Sequence, residues 1–398
     1  MRIVHVEDYF IPDAGYQINI MPKYLSRFGH EVYIVTCYVE GIAKPASNFF
    51  GIENIKERDE VYRRETGVTV IRVKPLSTKT VSDRILQGSA LFRKVKELKP
   101  DLVYVHGNDT LTGIRYLMKR KLPFALVTDS HMLSMATINR FHHWFARFYR
   151  AVVTPRIVKN GTVVIRTQDD PYVEREFGIP LSQAPWISYG TDTLLFHPDA
   201  EAKRRFREAN GITDTDFVVV YTGKIDEPKG GKLLAETFRK RFAVGRPVVL
   251  VAVGTTAGEY GSEVEALFAA SENRILRFPT QKYVDLAPFY QAADLSVFAR
   301  QCSLSFYDAQ GCGLPVVSEN NNINLDRNSH GNGLCFEAES VDSFRAAVET
   351  VAALPPEEYR RMSENAYRYI TEHYDYVAKA REYEAILLAA HEAFIKEH

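Results

Sequence analysis

Short apolar runs alternate with helix-like segments along the whole chain, and this alternation predicts the fold. The runs are rich in Val and Ile and apolar on both faces, as in "RIVHV", "FVVVYTG" and "PVVLVAVG". Such runs are typical of parallel strands that helices cover on both sides. Between them lie segments with helical spacing, where Ile18, Met21, Leu25 and Phe28 precede a stop at Gly29. We therefore predict an α/β protein with doubly wound, Rossmann-like sheets.

The series of strands restarts near residue 200, which predicts two domains. A chain of 398 residues exceeds one ordinary domain. The segment "YGTDTLLFHPDAEAKRRFREANGI" fits a linker followed by a helix, and "YDYVAKAREYEAILLAAHEAFIKEH" fits a long amphipathic helix with no strand after it. We predict domains at residues 1–190 and 191–375, and a closing helix at 376–398.

The composition is that of a soluble globular protein, with 45% hydrophobic and 25% charged residues. No apolar run approaches the roughly 20 residues that span a bilayer. The opening "MRIVHVEDYF" is too polar for a signal peptide and predicts a first strand. The four cysteines form no Cys-x-x-Cys pair, which favours reduced thiols over a metal site. Together these features predict a cytoplasmic protein.

The charge is unevenly distributed, although the chain carries 50 Lys and Arg against 50 Asp and Glu. Residues 1–190 contain 27 basic against 19 acidic residues, an excess of 8, so the remainder carries a deficit of 8. The two halves either have ordinary surfaces, or the first half meets an anionic partner such as a membrane or a phosphate-bearing substrate. Nucleic acid is disfavoured because the basic residues are spread across this half.

The segment "RFHHWFARFYRAVVTPRIVK", residues 140–159, mixes aromatic with basic residues. It predicts either a helix with an apolar core face or a surface that touches lipid headgroups. Both interpretations remain open at the level of sequence.

Asp308, in "FYDAQGCGLPVVSE", is the first candidate for chemistry. Ser305-x-x-Asp308 has the spacing of a capping box, which would make both residues structural. Alternatively, Asp308 follows the strand "DLSVFA" and lies at the carboxyl edge of the sheet, where ligands bind. A carboxylate there can accept hydrogen bonds from ribose hydroxyls, and a helix N-terminus favours phosphate.

A second candidate lies in "VVVYTGKIDEPKGGKLLAETF", a strand-to-helix turn that holds Lys224 and Lys229 among glycines. Lysines and close backbone amides can hold a diphosphate, although a solvated basic turn fits the same pattern. In the first half, Gly15 lies between a strand and a helix, where it would let the backbone approach a ligand. Two such domains are expected to face each other across a ligand-binding cleft.

Six segments in co-linear order resemble the retaining GT-B glycosyltransferases of the family 4 type, glycosyl transferases group 1. The turn at Gly15 resembles the N-terminal Gly-Gly loop of that family, and "LSRFGHEVYIVT" its next helix and strand. "WISYGTDTLLFHPD" resembles the interdomain segment and "TGKIDEPKGGKLLAETF" the diphosphate segment. "DAQGCGLPVVSE" and "HGNGLCFE" resemble the Glu-x7-Glu region and the loop that follows it.

The resemblance implies two Rossmann-like domains facing a cleft, with the last helix crossing back to the first domain. It implies a nucleotide-diphosphate sugar bound mainly by the second domain, with Asp308 on the ribose and Lys224 and Lys229 on the diphosphate. His131, in "VTDSHM", resembles the active-site histidine of the family, whereas His106 is expected to be structural. Ser305 and Gly15 complete the expected donor contacts.

The chain departs from the family pattern at several positions. Arg300 aligns with the first acid of the Glu-x7-Glu motif, which is a charge reversal, and Asp308 with the second. Lys224 replaces an arginine, which keeps the charge but loses the bidentate fork. Tyr189 replaces the usual asparagine. Arg300 would favour an acidic sugar, add contacts to the diphosphate, or mark a catalytically weak pocket.

The resemblance thus predicts a retaining hexosyltransferase that uses no metal or other cofactor. Its acceptor would be a carbohydrate or a lipid-linked saccharide, in bacterial cell-surface polysaccharide or glycolipid synthesis, with peripheral contact to the inner face of the plasma membrane. The alternatives are a non-catalytic GT-B-like partner subunit and a nucleotide-sugar hydrolase or epimerase. A nicotinamide dehydrogenase is disfavoured because "HVEDYFIPDAG" lacks Gly-x-Gly-x-x-Gly.

Overall fold

The computed structural model describes residues 1–42, 51–80, 84–132, 142–167 and 169–397. The chain divides into two compact units. Unit 1 comprises Met1–Tyr189 and Val377–His398, and unit 2 comprises Gly190–Tyr376.

The core of unit 1 is a six-stranded parallel sheet. Its strands are β1 (Arg2–Val6), β2 (Glu31–Cys37), β3 (Thr69–Val73), β4 (Leu102–Val105), β5 (Ala125–Ser130) and β6 (Val163–Arg166). They pair in the order β3-β2-β1-β4-β5-β6. The central strands are buried on both faces, which explains their continuous apolar sequence.

Helices cover both faces of this sheet. They are α1 (Gln17–Arg27), α2 (Ile55–Thr66), α3 (Ser89–Glu97), α4 (Leu111–Leu117), α5 (His142–Phe148), α6 (Thr154–Lys159) and α7 (Tyr172–Phe177). A π-helical turn, Tyr149–Val153, joins α5 to α6. Local sequence sets the ends: Thr110 caps α4 by accepting from the Gly113 amide, and Gly67, with φ +78°, ends α2.

Unit 2 repeats the same plan. Its strands are β7 (Phe217–Thr222), β8 (Val248–Val253), β9 (Arg274–Phe278), β10 (Leu295–Phe298), β11 (Val316–Glu319) and β12 (Gly333–Phe336), in the order β12-β11-β10-β7-β8-β9. Its helices are α8 (Ala200–Ala209), α9 (Gly231–Thr237), α10 (Gly258–Ala269), α11 (Ala287–Ala292), α12 (Ser305–Gly311), α13 (Asn322–Arg327), α14 (Val341–Ala352) and α15 (Pro356–His373).

The two sheets share one topology. In each, successive strands are added outward on both sides of a central pair, which is β1 and β4 in unit 1 and β7 and β10 in unit 2. The strand order reverses at these pairs, and ligands of such sheets bind beyond the carboxyl ends of the strands there. The predicted fold class is therefore confirmed. One strand was missed: "GLCF" was interpreted as a loop, because β12 has only four residues and follows a glycine-rich turn.

The last helix, α16 (Tyr376–Glu397), packs on unit 1, as predicted for the fold. The Tyr383 hydroxyl accepts from the Gln17 amide at 2.5 Å and donates to the Ile187 carbonyl at 3.2 Å. Glu384 lies 2.7 Å from His30 Nε2. None of the helices in the described ranges is both long and apolar enough to cross a bilayer.

Candidate active site

The turn after β7 brings both predicted lysines to the carboxyl edge of unit 2. Asp226 shapes this turn, because its carboxylate accepts from the Lys229 amide at 3.1 Å and its carbonyl accepts from the Gly231 amide at 3.0 Å. Gly230 has φ +73°, and a Cβ there would lie 3.2 Å from the Ala299 Cβ. The glycine therefore lets the turn approach the end of β10 closely.

The lysine side chains share this edge with a third cation. Lys229 Nζ donates to the Cys302 carbonyl at 3.2 Å. Burial lowers the pKa of Lys229, and the nearby positive charges of Lys224 and Arg327 act in the same direction. Three cations are thus gathered where β7 and β10 end.

Arg327, the last residue of α13, was missed by the sequence analysis. Its guanidinium is buried, donates to the Ser303 carbonyl at 3.0 Å and lies 4.7 Å from the centre of the Tyr307 ring. It stands as a single arginine in "NINLDRNSH", outside any phosphate-binding pattern. Only the packing of α13 against the loop after β10 brings it to the site.

Asp308 lies at the same edge, in α12. Its Oδ1 accepts hydrogen bonds from the hydroxyls of Thr191 and Tyr283, the latter at 3.2 Å. Burial raises the pKa of Asp308 to about 7. Because both hydrogen bonds end on Oδ1, Oδ2 is the carboxylate oxygen that we expect to contact a ligand.

The structural interpretation of Asp308 as part of a capping box is wrong. Ser305 is the first residue of α12 rather than its cap, and the cap residue Leu304 makes no side-chain hydrogen bond. Ser305 instead hydrogen-bonds Tyr290, whose hydroxyl lies 2.5 Å from Thr222 Oγ1. Tyr290 thereby ties the start of α12 to the end of β7.

Arg300, in the loop after β10, makes its polar contacts at the turn that carries Lys229. Its guanidinium donates to the Glu227 carbonyl at 2.9 Å and pairs with the Glu339 carboxylate. It lines a cavity of about 410 Å³ that also contains Lys232 and Glu263. In this arrangement the Arg300 guanidinium stabilises the turn after β7, because it binds a backbone carbonyl of that turn.

In unit 1, the loop after β1 carries Gly15, with φ +74°. The Asn19 side chain holds this loop, donating to the carbonyls of Ile11 and Pro12 at 2.7 and 2.8 Å and accepting from the Tyr16 amide at 2.9 Å. The positive φ explains the glycine, and the loop lies at the carboxyl edge of the sheet.

His131 follows β5 at the same edge of unit 1. Its Nε2 lies 3.1 Å from Asp129 Oδ1 and its Nδ1 lies 2.6 Å from the Tyr189 hydroxyl. Burial would lower the pKa of His131, but the Asp129 carboxylate and Tyr189 raise it well above its ordinary value. Tyr189, which replaces the asparagine of the family pattern, is therefore a direct partner of His131.

His106 lies on the other side of Asp129, with its Nδ1 2.9 Å from Oδ2. Burial opposes ionisation of Asp129, but His131 and His106 hold its pKa well below the ordinary value. The three side chains each offer one atom within 4.8 Å of the others, so among the described residues they form a group able to hold a metal ion. Neither this grouping nor a metal was predicted from the sequence.

Comparison with known proteins points to one family. Residues 202–369 match the family model of glycosyl transferases group 1. The chain is 26% identical over 265 residues to the D-inositol 3-phosphate glycosyltransferase of Segniliparus rotundus. That match covers 63% of this chain and 58% of the relative, so the chain matches little more than half of the relative's length.

Solved structures resemble the whole chain. The glycosyltransferase of Rickettsia africae superimposes with a TM-score of 0.76 at 15% identity over 98% of both chains. Anabaena HepE in complex with UDP gives 0.73 at 17% identity over 98% of this chain and all of HepE. Together with the topology of the two sheets, the structural matches show that the chain has the GT-B fold, and most of its second unit matches the model of glycosyl transferases group 1.

Proposed function

We propose that the chain is a glycosyltransferase that moves a hexosyl group from a nucleotide-diphosphate sugar to an acceptor hydroxyl. One observation carries the proposal: Lys224, Lys229 and Arg327 gather beside the helix of Asp308, where the strand order of unit 2 reverses. A diphosphate next to a ribose has the charge and hydroxyl pattern that this edge would recognise. The complex of HepE with UDP supports the same class of donor.

The cations would stabilise the leaving group without a metal at the diphosphate. As the bond between the anomeric carbon and the diphosphate oxygen breaks, negative charge grows on that oxygen, and fixed cations lower the energy of this state. The acceptor oxygen forms the new bond, and its proton passes to the departing phosphate. Retention of configuration follows from attack on the face that the leaving group vacates, as the family resemblance implies.

The acceptor would bind unit 1, whose carboxyl edge carries Gly15 and His131. The relatives are named for an inositol phosphate acceptor, which supports a polyhydroxylated acceptor with an anionic group. A lipid-linked saccharide has both features and fits the basic excess of residues 1–190.

The outer face of α5 and α6 supports a role at a membrane. Residues 140 and 141 of the aromatic-basic segment lie outside the described residues. In the rest, one face packs into the core through Ala146, Tyr149, Val153 and Ile157. The opposite face exposes an apolar stripe flanked by Arg147 and Lys159, formed by Trp144 (72% exposed), Phe148 (46%), Val152 (38%) and Val158 (47%). Such a face suits anionic lipid headgroups, as synthesis of a cell-surface glycolipid would require.

Hydrolysis of the nucleotide sugar is a second candidate, favoured by Glu7. This residue follows β1 at the carboxyl edge, and its carboxylate accepts from the Tyr9 amide at 3.3 Å. Burial raises the pKa of Glu7 to about 7, partly offset by His106. A carboxyl group of that pKa can activate water as well as an acceptor hydroxyl.

A non-catalytic partner subunit is less well supported. The charge reversal at Arg300 favoured this alternative at the level of sequence. The contacts of Arg300 with Glu227 and Glu339 account for this residue by a structural role that is compatible with an active enzyme.

A thermal-shift panel of nucleotides and nucleotide sugars tests the proposal. Selective stabilisation by one nucleoside diphosphate and its sugar is expected, because a ligand that binds only the native state raises Tm. Lys229→Ala should weaken binding by about 10- to 100-fold, since a charged hydrogen bond is lost. Lys232→Ala is the matched control, because Lys232 pairs with Glu263 at the surface. Absence of any nucleotide-dependent shift would refute the assignment, and release of free sugar without acceptor would favour hydrolysis.

A further inference from the structure

A cavity of about 430 Å³ lies at the amino ends of β5 and β6 in unit 1. Ala125 and Val163, the first residues of these two strands, line it. His131 follows the carboxyl end of β5, so the cavity and the candidate active site lie at opposite edges of one parallel sheet. The volume falls within the range of about 300–1,000 Å³ that is usual for small-molecule sites. The cavity is therefore separate from the groups assigned to the donor and the acceptor.

The closing helix α16 forms an apolar wall of this cavity. Ile386, Ala390 and Ala393 line it from one face of the helix. Leu122 and Phe124, which precede β5, contribute further apolar surface. Short alanine side chains leave open a volume that larger residues would fill in a close-packed interior. An apolar chain that enters this space is removed from water, which favours its binding.

The lining also carries an excess of positive charge. It contains Lys119, Arg120 and Lys121 from the segment after α4 and Lys159 at the end of α6, against Glu397 as the one acid among the described lining residues. Arg120, Lys121 and Lys159 are exposed, and within the described ranges their side chains have no ion pair or hydrogen bond. Their charge is therefore available to an anionic ligand.

Helix dipoles explain only part of this charge. A cation in the last turn of a helix is favourable by itself, and Lys159 is the last residue of α6. Arg120 and Lys121 lie beyond the last turn of α4, which ends at Leu117, where this effect has fallen off. Cations that line one cavity repel each other, and an anion bound between them relieves this repulsion.

We propose that the cavity binds one molecule of an anionic phospholipid, with an acyl chain against α16 and the phosphate at the basic residues. A lipid of this class combines the two properties that the lining would recognise, an apolar chain and a negative charge. Free phosphate would leave the apolar wall unused, and an uncharged amphiphile would leave the cations without a partner.

This inference rests on the membrane contact proposed above, because the membrane is the source of the lipid. Lys159 lines the cavity, and its neighbour Val158 belongs to the exposed stripe of α5 and α6. The stripe would lie on the membrane surface, whereas the cavity would hold a single lipid molecule. A monomeric lipid in solution therefore tests the cavity separately from the stripe and from the donor site.

The test is isothermal titration of the purified full-length chain with lysophosphatidylglycerol below its critical micelle concentration. We expect one molecule bound per chain. Lysophosphatidylcholine, which has the same chain with a zwitterionic head, and inorganic phosphate, which has no chain, should each bind at least about tenfold more weakly. Equal affinity for either of these two ligands would overturn the proposal, as would absence of lysophosphatidylglycerol binding.

Loss of charge at the cavity should weaken this binding. Lys121→Gln combined with Lys159→Gln is expected to lower the affinity for lysophosphatidylglycerol by about 10- to 30-fold, because two cations near the phosphate are removed. Lys56→Gln combined with Lys96→Gln is the matched control, since both lysines are exposed in unit 1 and neither lines the cavity. An equal effect of the two double variants would contradict the site.

Filling the apolar wall gives an independent variant. Ala393→Trp places a large side chain at an exposed position of the wall and should also weaken binding by at least about tenfold. Ala385→Trp, exposed on the same helix but outside the lining, should bind the lipid as the unmodified chain does. Trp144→Ser should likewise keep this binding. Loss of monomeric lipid in Trp144→Ser would place the lipid on the stripe instead and refute the cavity, whereas a nucleotide-dependent thermal shift without lipid binding would refute the cavity alone.

Discussion

The Asp308 carboxylate accepts a hydrogen bond from the hydroxyl of Thr191, which lies 117 residues earlier in the chain. Thr191 follows the segment that leads into unit 2, and its amide and carbonyl bond the backbone at Tyr374 and Tyr376. The acid assigned to the ribose is therefore positioned by the first and last segments of its own unit.

Replacing Asp308 by Asn should change how stability depends on pH. The pKa of Asp308 rises from 3.8 to about 7 on folding, so the native state holds a proton that the unfolded chain releases. The free energy of unfolding must then fall as pH rises between these values. Asp308→Asn has no proton to release, so its stability should not fall in this way. At about pH 8 the free energy of unfolding of the variant should exceed that of the unmodified protein by up to about 4 kcal/mol.

Urea unfolding at about pH 5 and about pH 8 measures this difference. The exposed Asp285, changed to Asn, is the control and should leave the pH dependence unaltered. An unchanged slope in Asp308→Asn would contradict the burial argument.

Donor binding should weaken as Asp308 is protonated. A carboxylate accepts from both ribose hydroxyls, but its protonated form loses much of this capacity. Since the pKa of Asp308 is about 7, the affinity for the nucleotide selected by thermal shift should drop as pH falls below that value. Isothermal titration across this range gives the dependence, and Asp308→Asn should abolish it.

Arg300→Ala should leave nucleotide binding nearly unchanged. Arg300 donates from Nη1 to the Glu227 carbonyl and pairs through Nη2 with the Glu339 carboxylate, and the Glu339 side chain is 60% exposed. An ion pair of this exposure contributes at most about 1 kcal/mol to stability. Titration with the nucleotide sugar and with its nucleotide alone checks the result. A large loss confined to the sugar-bearing ligand would show that Arg300 turns to meet the donor.

Gly254→Ala should strongly destabilise unit 2. Gly254 has φ +153°, and a Cβ there would lie 1.9 Å from the Gly223 carbonyl oxygen. The Cβ is fixed by the backbone of Gly254, and the oxygen that it meets is a backbone atom at the end of β7, so neither can move aside. We expect the free energy of unfolding to fall by at least about 2 kcal/mol. Thermal unfolding gives the effect. Gly245→Ala, which meets no atom within 4 Å, should leave Tm unchanged or slightly raised.

Trp144→Ser should reduce binding to anionic vesicles. Trp144 is 72% exposed on the outer face of α5, and loss of a tryptophan contact with the lipid interface should lower affinity by about tenfold. Co-sedimentation with phosphatidylglycerol vesicles at low and high salt measures it. The chain has one other tryptophan, Trp186, 42% exposed, which serves as the matched control. Equal loss in both variants, or no binding at low salt, would argue against this surface.

The two parallel sheets follow from the sequence alone, because Val- and Ile-rich runs that are apolar on both faces have few other stable arrangements. It also placed Lys224, Lys229 and Asp308 at strand ends, since the site of a doubly wound sheet follows from the order of its elements. Their assignment to a donor stays a prediction until binding is measured.

The contacts of each polar side chain, by contrast, depend on how the elements pack in three dimensions. Arg300 turns to Glu339, 39 residues away, and Arg327 reaches the loop after β10 through the packing of α13. His131 meets Asp129 beside it in sequence and Tyr189 far from it. Spacing along the chain fixes hydrophobic faces by periodicity, but a hydrogen bond depends on distances of a few ångströms between elements, which are set when the elements pack.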